Sequence, residues 1–302
     1  MASFKKKETL VQNITYMALM AAINVVFVLL TTFVPVLFFL IVFVLPLTST
    51  IVALHCKKRF FPIYAVSTIL LCLVCTIWKI DDTIFYVIPS IVSGFIFAIM
   101  VEKDIPSPLI IIATTLIQMA FSYATIPLIT LMTGRSIVND FATVFGLKNY
   151  AYLDYVAPSF IFFLALMQET LSFVVISEEI KKFGFTMKKA ELSGWSMCIY
   201  LGASLLLVLI FALTYRPLSY TALLLSLYFA CLLITGLIDR KKKWIYIALS
   251  GSILVTLFVF AAIYNYIPVP MGLLGVGILF FCVLIIGLVD NCLLKRENKS
   301  SI

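Results

Sequence analysis

Uncharged apolar runs of about eighteen residues recur along this 302-residue chain, the length at which an α-helix crosses a hydrocarbon layer about 30 Å thick. That feature excludes most architectures at once, because backbone N–H and C=O groups find no partner in lipid and must be satisfied within the segment. Composition agrees: 63% of residues are hydrophobic and 12% charged, with a mean hydropathy of +1.16. Soluble domains are about half apolar and a quarter charged. A soluble globular enzyme is excluded, and the expected fold class is all-α, a polytopic transmembrane helical bundle of ten helices in the cell (cytoplasmic) membrane.

Cutting the apolar blocks at charged or proline-marked breaks places spans at Ile14–Leu30, Val34–Leu54, Phe61–Trp78, Thr83–Val101, Ser107–Met132, Val156–Ile176, Gly194–Tyr215, Leu218–Ile238, Trp244–Tyr266 and Met271–Val289. Thr31 to Phe33 reads as a tight turn, and Pro35 and Pro217 mark two of the cuts. Charge tests the division, since short cytoplasmic loops retain Lys and Arg. With the N-terminus inside, 18 of the 22 basic residues fall in cytoplasmic segments, and only Lys79, Arg135, Lys148 and Arg216 fall outside. The expected topology therefore has both termini in the cytoplasm.

The formal net charge of +8 does not indicate a nucleic-acid partner, because the basic residues are spread over short loops with no aromatic platform among them. Anionic lipid of the inner leaflet is the partner this distribution fits. A basic start followed by an apolar run resembles a signal peptide, but no small-residue cleavage site follows, so the first helix is expected to stay. Seven cysteines lie within or at the inner ends of spans, where disulfides are not expected. Cys72 and Cys75 share a helix face and read as small packing residues. One histidine, His55, leaves zinc hydrolysis and histidine-based nucleophilic chemistry without their usual groups. No Walker-type glycine-rich lysine loop is present. No metal, cofactor or enzymatic activity is expected.

The longest cytoplasmic loop, Ser177 to Leu192, divides the chain into residues 1–182, six helices, and residues 183–302, four helices. The order proline turn, helix, basic loop, aromatic, Ile-Tyr occurs in both: Pro35, Lys57-Lys58-Arg59, Phe60, Ile63-Tyr64, then Pro217, Lys241-Lys242-Lys243, Trp244, Ile245-Tyr246. The last four helices are therefore read either as a parallel copy of helices one to four or as an added module. A rival offset matches Ala18-Leu19-Met20 to Ala165-Leu166-Met167 and would give inverted copies.

Glu169 is the one carboxylate the sequence places well inside a span. Burying it costs several kcal/mol unless it is neutralised, partnered or wet. Gln168 beside it and Gln118 on the preceding helix complete a polar cluster that serves either proton or substrate-cation coupling or interhelical hydrogen bonding. On the outer side, Lys79, Asp81, Asp82 and Tyr86 gather at one turn, and the long Gly134–Tyr155 loop carries Arg135, Asp154 and Tyr155. Within that loop Phe141, Val144, Phe145 and Leu147 have the spacing of a short amphipathic helix. Mixed charges among tyrosines serve either a polar-ligand pocket or an ordinary aromatic belt. The candidate substrate-binding residues are Asp81, Asp82, Tyr86, Gln118, Tyr123, Arg135, Asp154, Tyr155 and Glu169. Asn24, Arg216 and Asn265 are weaker ones. In the first helix Ala18 and Ala22 form a small-xxx-small pair of the kind that lets another helix approach closely.

Residues Ile14-Thr15-Tyr16-Met17-Ala18-Leu19-Met20-Ala21-Ala22-Ile23-Asn24-Val25-Val26 resemble the opening helix of the substrate-binding (S) components of bacterial energy-coupling factor (ECF) transporters. Ser90 to Lys103, with Gly94, is similar to their fourth helix. The resemblance covers about residues 10 to 182 and implies a six-helix bundle that binds a vitamin-like small polar micronutrient from outside. It also implies docking, through Ala18 and Ala22, on a transmembrane coupling subunit driven by two ATPases. The short link Leu30 to Val34 departs from the long gating loop of that family. The competing expectations are a ten-helix secondary permease coupled through Glu169 and a membrane assembly protein; a membrane-embedded transferase is disfavoured because the loops lack a magnesium-binding aspartate cluster.

Overall fold

The structure, a computed structural model, describes residues 7, 9–34, 38–80, 83–134, 136, 139, 143, 153–182, 192–263 and 275–300. Among the described residues there are ten α-helices and no strand: α1 (Leu10–Phe33), α2 (Phe38–His55), α3 (Phe61–Cys75), α4 (Ile88–Glu102), α5 (Ser107–Thr133), α6 (Leu153–Lys182), α7 (Gly194–Thr214), α8 (Arg216–Ile238), α9 (Lys243–Ile263) and α10 (Gly277–Ser300). Eight helical segments are long and apolar enough to cross a membrane, and two shorter apolar ones, Val44–His55 and Lys243–Val259, belong to α2 and α9. The chain is all-helical and of multi-pass membrane type.

Local chemistry sets the helix ends. Thr9 caps α1 in a capping box with Gln12, and Ser193 caps α7 by accepting from the Ser196 N–H. Proline stands in the first turn of α3, α4, α5 and α8, where its missing N–H costs nothing. Gly134 closes α5 in the left-handed conformation, φ 68°. A single π-helical turn, Thr83–Val87, leads into α4.

Each expected span meets one helix, and the bounds differ by several residues at a number of ends. Thr31 to Phe33 do not turn; they complete α1, because the Thr31 and Thr32 hydroxyls donate to the Val28 carbonyl and keep the last turn helical. Pro35 lies outside the described residues. Helix α6 begins at Leu153, so Asp154 and Tyr155 stand on its first turn rather than in the preceding loop. Helix α10 continues past Val289 to Ser300, since neither glycine nor proline interrupts that stretch.

The chain divides into two compact units, Met1–Lys148 with Ile161–Ala190, and Asn149–Phe160 with Glu191–Ile302. In the first, α1 packs on α2 and α3, α2 on α4, and α4 on α5. Helix α1 buries Asn13, Met17, Ala21, Asn24, Val28 and Thr31, a three-and-four spacing that forms one stripe. The α2–α4 crossing is close at Gly94: a Cβ there would stand 2.5 Å from the Pro46 carbonyl oxygen and 2.8 Å from the Ser49 Cβ. The Thr50 hydroxyl donates across that crossing to the Gly94 carbonyl at 3.0 Å. In the second unit α7 packs on α8 and α10, and α10 also meets α8 and α9. Gly287 lets α10 approach, since a Cβ there would lie 2.9 Å from both Cys198 Sγ and a Leu233 methyl.

Candidate functional site

Interior polar groups of the first unit fall into two kinds, and the distinction locates the site. The first kind is satisfied. Asn24 on α1 donates to the Tyr64 hydroxyl on α3 at 2.8 Å and accepts from the Thr48 hydroxyl on α2 at 2.6 Å. All three side chains are buried, and their bonds join three helices. At the end where α1 starts, Asn13 donates to the Lys7 and Thr9 carbonyls at 2.9 and 2.7 Å and accepts from the Lys57 N–H at 2.9 Å. Beside it Cys56, buried just beyond α2, places its thiol 4.0 Å from the Asn13 carbonyl. Burial pushes that thiol's pKa up, against a smaller downward pull from Lys7. Lys58 of the same corner is ion-paired with Glu102 at the end of α4. These groups act as fasteners.

The second kind lies between α4, α5 and α6. Gln118 and Glu169 are each 2% exposed. Gln118 Nε2 donates to Gln168 Oε1 at 3.4 Å, and Gln168 Nε2 donates to the Ser90 hydroxyl at 3.3 Å. One step further along, Glu169 faces the hydroxyls of Ser93 and Thr114. Consecutive residues of α6 thus enter two successive layers, Ser90–Gln118–Gln168 and Ser93–Thr114–Glu169. The helical spacings match: Ser90 and Ser93 are one turn apart on α4, Thr114 and Gln118 one turn apart on α5. Beyond Glu169, toward Lys182, Ser172 is buried and its neighbours are apolar, with Phe97 and Phe173 rings 5.8 Å apart and Ile110 and Ile176 buried. In the other direction α5 keeps a buried polar file, Ser122 and Thr125.

This site is left incomplete. Gln118 Oε1 and Glu169 Oε1 are buried with no hydrogen-bond partner. The Ser93 and Thr114 hydroxyls also bond carbonyls of their own helices, Ser90 at 3.2 Å and Ile110 at 2.9 Å, so the carboxyl has beside it only neutral hydroxyls that it shares with the backbone. Neither α4 nor α5 contains a Lys, Arg or His. The hydroxyls of Ser49, Thr68, Ser159 and Thr221 and one oxygen of Asp290 are also unpartnered by hydrogen bonds, but a carboxyl with no cation on the helices packed against it is the costliest of these in a low-dielectric interior, which makes this the place that calls for a ligand.

The other sequence candidates are placed elsewhere or lie outside the described residues. Tyr86 sits in the π-helical turn, packed against Phe85 at 4.9 Å between rings and beside the buried Ile84 and Ile129. Tyr123 is on α5 but 41% exposed, away from the layers. Asp81, Asp82, Arg135, Asn265 and the expected amphipathic residues Phe141, Val144, Phe145 and Leu147 lie outside the described residues, as do the side chains of Asp154 and Tyr155. Arg216 is exposed at the start of α8. Ala18 and Ala22 are exposed on the face of α1 opposite its buried stripe. All seven cysteines are free thiols.

One charged cluster was not expected. Asp290 on α10 is 0% exposed and pairs with Arg240, while Lys242 Nζ stands 3.4 Å from its second oxygen. Arg240 also donates to Asn291 Oδ1 at 3.1 Å. Gly194 opens α7 against this cluster, and a Cβ there would be 2.4 Å from Asn291 Oδ1. The expected last span ends at Val289, one residue short of Asp290. The available signal was periodicity: Val283, Ile286, Asp290 and Asn291 continue one buried face.

Comparison with protein-family models, curated proteins and solved structures returned no match.

Proposed function

We propose that the chain is a transport protein of the cell membrane whose first unit binds a small polar solute between α4, α5 and α6 and works with a separate ATP-driven coupling module. The observation that carries this reading is the Gln118–Glu169 site, where buried acceptors in a span have no protein partner. Intramembrane ionisable groups of this kind mark solute and ion pathways. The S-component-like opening helix supports the second half of the reading: its packed face is occupied by Met17, Ala21 and Asn24, leaving Ala18 and Ala22 open to another helix. In this reading the lysine-rich loop ends face the cytoplasm.

Gentle extraction of the chain, followed by mass spectrometry of retained small molecules and partner proteins, tests it. A polar solute lost in Glu169→Gln, and an ATPase-containing partner lost in Ala18→Trp, are the expected results. Absence of both from the wild-type preparation overturns the proposal. A secondary permease is the alternative that the same carboxyl favours. It predicts uptake into liposomes by the chain alone, abolished by Glu169→Gln, with no ATPase required.

A further inference from the structure

We infer that the Glu169 site takes a monovalent cation, so that whatever this unit carries or couples to brings one positive charge to that carboxyl. The inference deepens the reading above, on which it rests for the location of the site, and it follows from counting charges.

The acceptors are the Glu169 carboxyl, the Gln118 carbonyl oxygen and the lone pairs of the Ser93 and Thr114 hydroxyls. Glu169 Oε1 and Gln118 Oε1 are unmet, and the two hydroxyls also bond backbone carbonyls of their own helices. Each nearby amide uses one of its two N–H bonds, Gln118 Nε2 on Gln168 and Gln168 Nε2 on Ser90, so the groups around the carboxyl are neutral. An anionic ligand would set a second negative charge beside a buried carboxyl. A cation supplies what is missing.

Charge points the same way. No titratable side chain of α4 or α5 faces Glu169: Glu102 ends α4 in its ion pair with Lys58, and Tyr123 is exposed on α5. On α6 the nearest charges are Glu178 and Glu179, ion-paired with Lys181 and Lys182. Those lysines lie about 18 Å further along the axis at about 1.5 Å per residue. The carboxylate therefore has no counter-ion from its own three helices, and a low-dielectric surrounding demands one. A proton, an alkali ion and a protonated amine share the needed charge; oxygen donors of the carboxylate, amide and hydroxyl type suit each of them.

The test uses the purified full chain in detergent, with no solute and no partner, so that it stands or falls apart from the uptake experiment. Thermal unfolding is followed above neutral pH in N-methylglucamine chloride, then with sodium chloride or methylammonium chloride substituted at constant ionic strength. In a third arm the pH is lowered to mildly acidic in N-methylglucamine alone, while infrared spectroscopy follows the carbonyl band of a protonated buried carboxyl. A saturable rise of several degrees with sodium or methylammonium identifies the occupant as that ion. A protonated-carboxyl band with no response to either ion identifies it as the proton. In each case the response is expected to vanish in Glu169→Gln and to weaken in Gln118→Leu, which keeps the carboxyl and serves if the first variant does not fold. A wild-type chain indifferent to both ions, with Glu169 ionised throughout, overturns the inference. So does a response that survives unchanged in both variants.

Discussion

Each of the two units buries a carboxyl group in a helical interior, and the two are treated in opposite ways. Asp290 in the second unit is ion-paired with Arg240 and Lys242, and Arg240 is held in turn by Asn291, so its charge is answered by side chains of the same chain. Glu169 in the first has hydroxyls and amides for company and no cation. A buried ion pair that is complete serves to hold elements in register. An acceptor left open serves for something that arrives. The comparison separates a fastener from a site without appeal to any relative, because it rests on whether the chain itself supplies the missing charge.

The largest effect is expected where the answered charge is disturbed. Arg240→Ala strands Asp290 with Lys242 alone and should cost about 3 kcal/mol in unfolding experiments in detergent. Replacing Arg240 and Asp290 together by leucine should cost markedly less than the single change, because no lone charge remains. If both variants melt alike, the cluster is not a fastener and the comparison breaks. Gly94→Ala is next. Its Cβ would meet the Pro46 backbone oxygen at 2.5 Å, so α2 and α4 must part, at about 1–3 kcal/mol by the same measurement. Glu169→Gln should change stability by less than about 1 kcal/mol, since it removes an unpaired acceptor rather than a pair, yet reduce solute retention at least tenfold, by about 1.4 kcal/mol of binding or more. A Glu169→Gln chain that melts far below wild type would place Glu169 with the fasteners.

The smallest effect concerns thiols. Cys56 is buried with its pKa pushed up, and Cys292 is exposed. A raised pKa leaves less thiolate at mildly alkaline pH, so maleimide should label Cys56 more slowly than Cys292, and the gap should narrow as the pH rises. Equal rates in the folded protein would show that the Asn13 corner opens freely.

What the sequence made legible follows from how strongly each feature is written in hydropathy. Ten helices were readable because each apolar block is long and its breaks carry charge or proline. Glu169 was readable because one carboxylate stands out in such a block, and Gln118 and Gln168 because amides there are few. Ser90, Ser93 and Thr114 were not: hydroxyl residues recur throughout these spans, and only the three-helix packing shows which of them share a layer. Asp290 was missed for a different reason. It sits where the apolar run gives way to polar residues, and hydropathy cannot tell a helix that ends from one that continues as a buried face. Tyr123 shows the converse, a polar residue in a span that packing turns away from the interior.

Asn13 has a consequence for how the chain is made. Its side chain ties the residues that precede α1 to the amide of Lys57, 44 positions later. A nascent polypeptide released from the ribosome before that amide emerges has an opening helix with nothing to latch onto. Synthesis must therefore deliver one further hydrophobic segment and the start of the corner after it before the beginning of the protein is closed, and arrest sequences inserted on either side of Lys57 would catch the chain unlatched and latched.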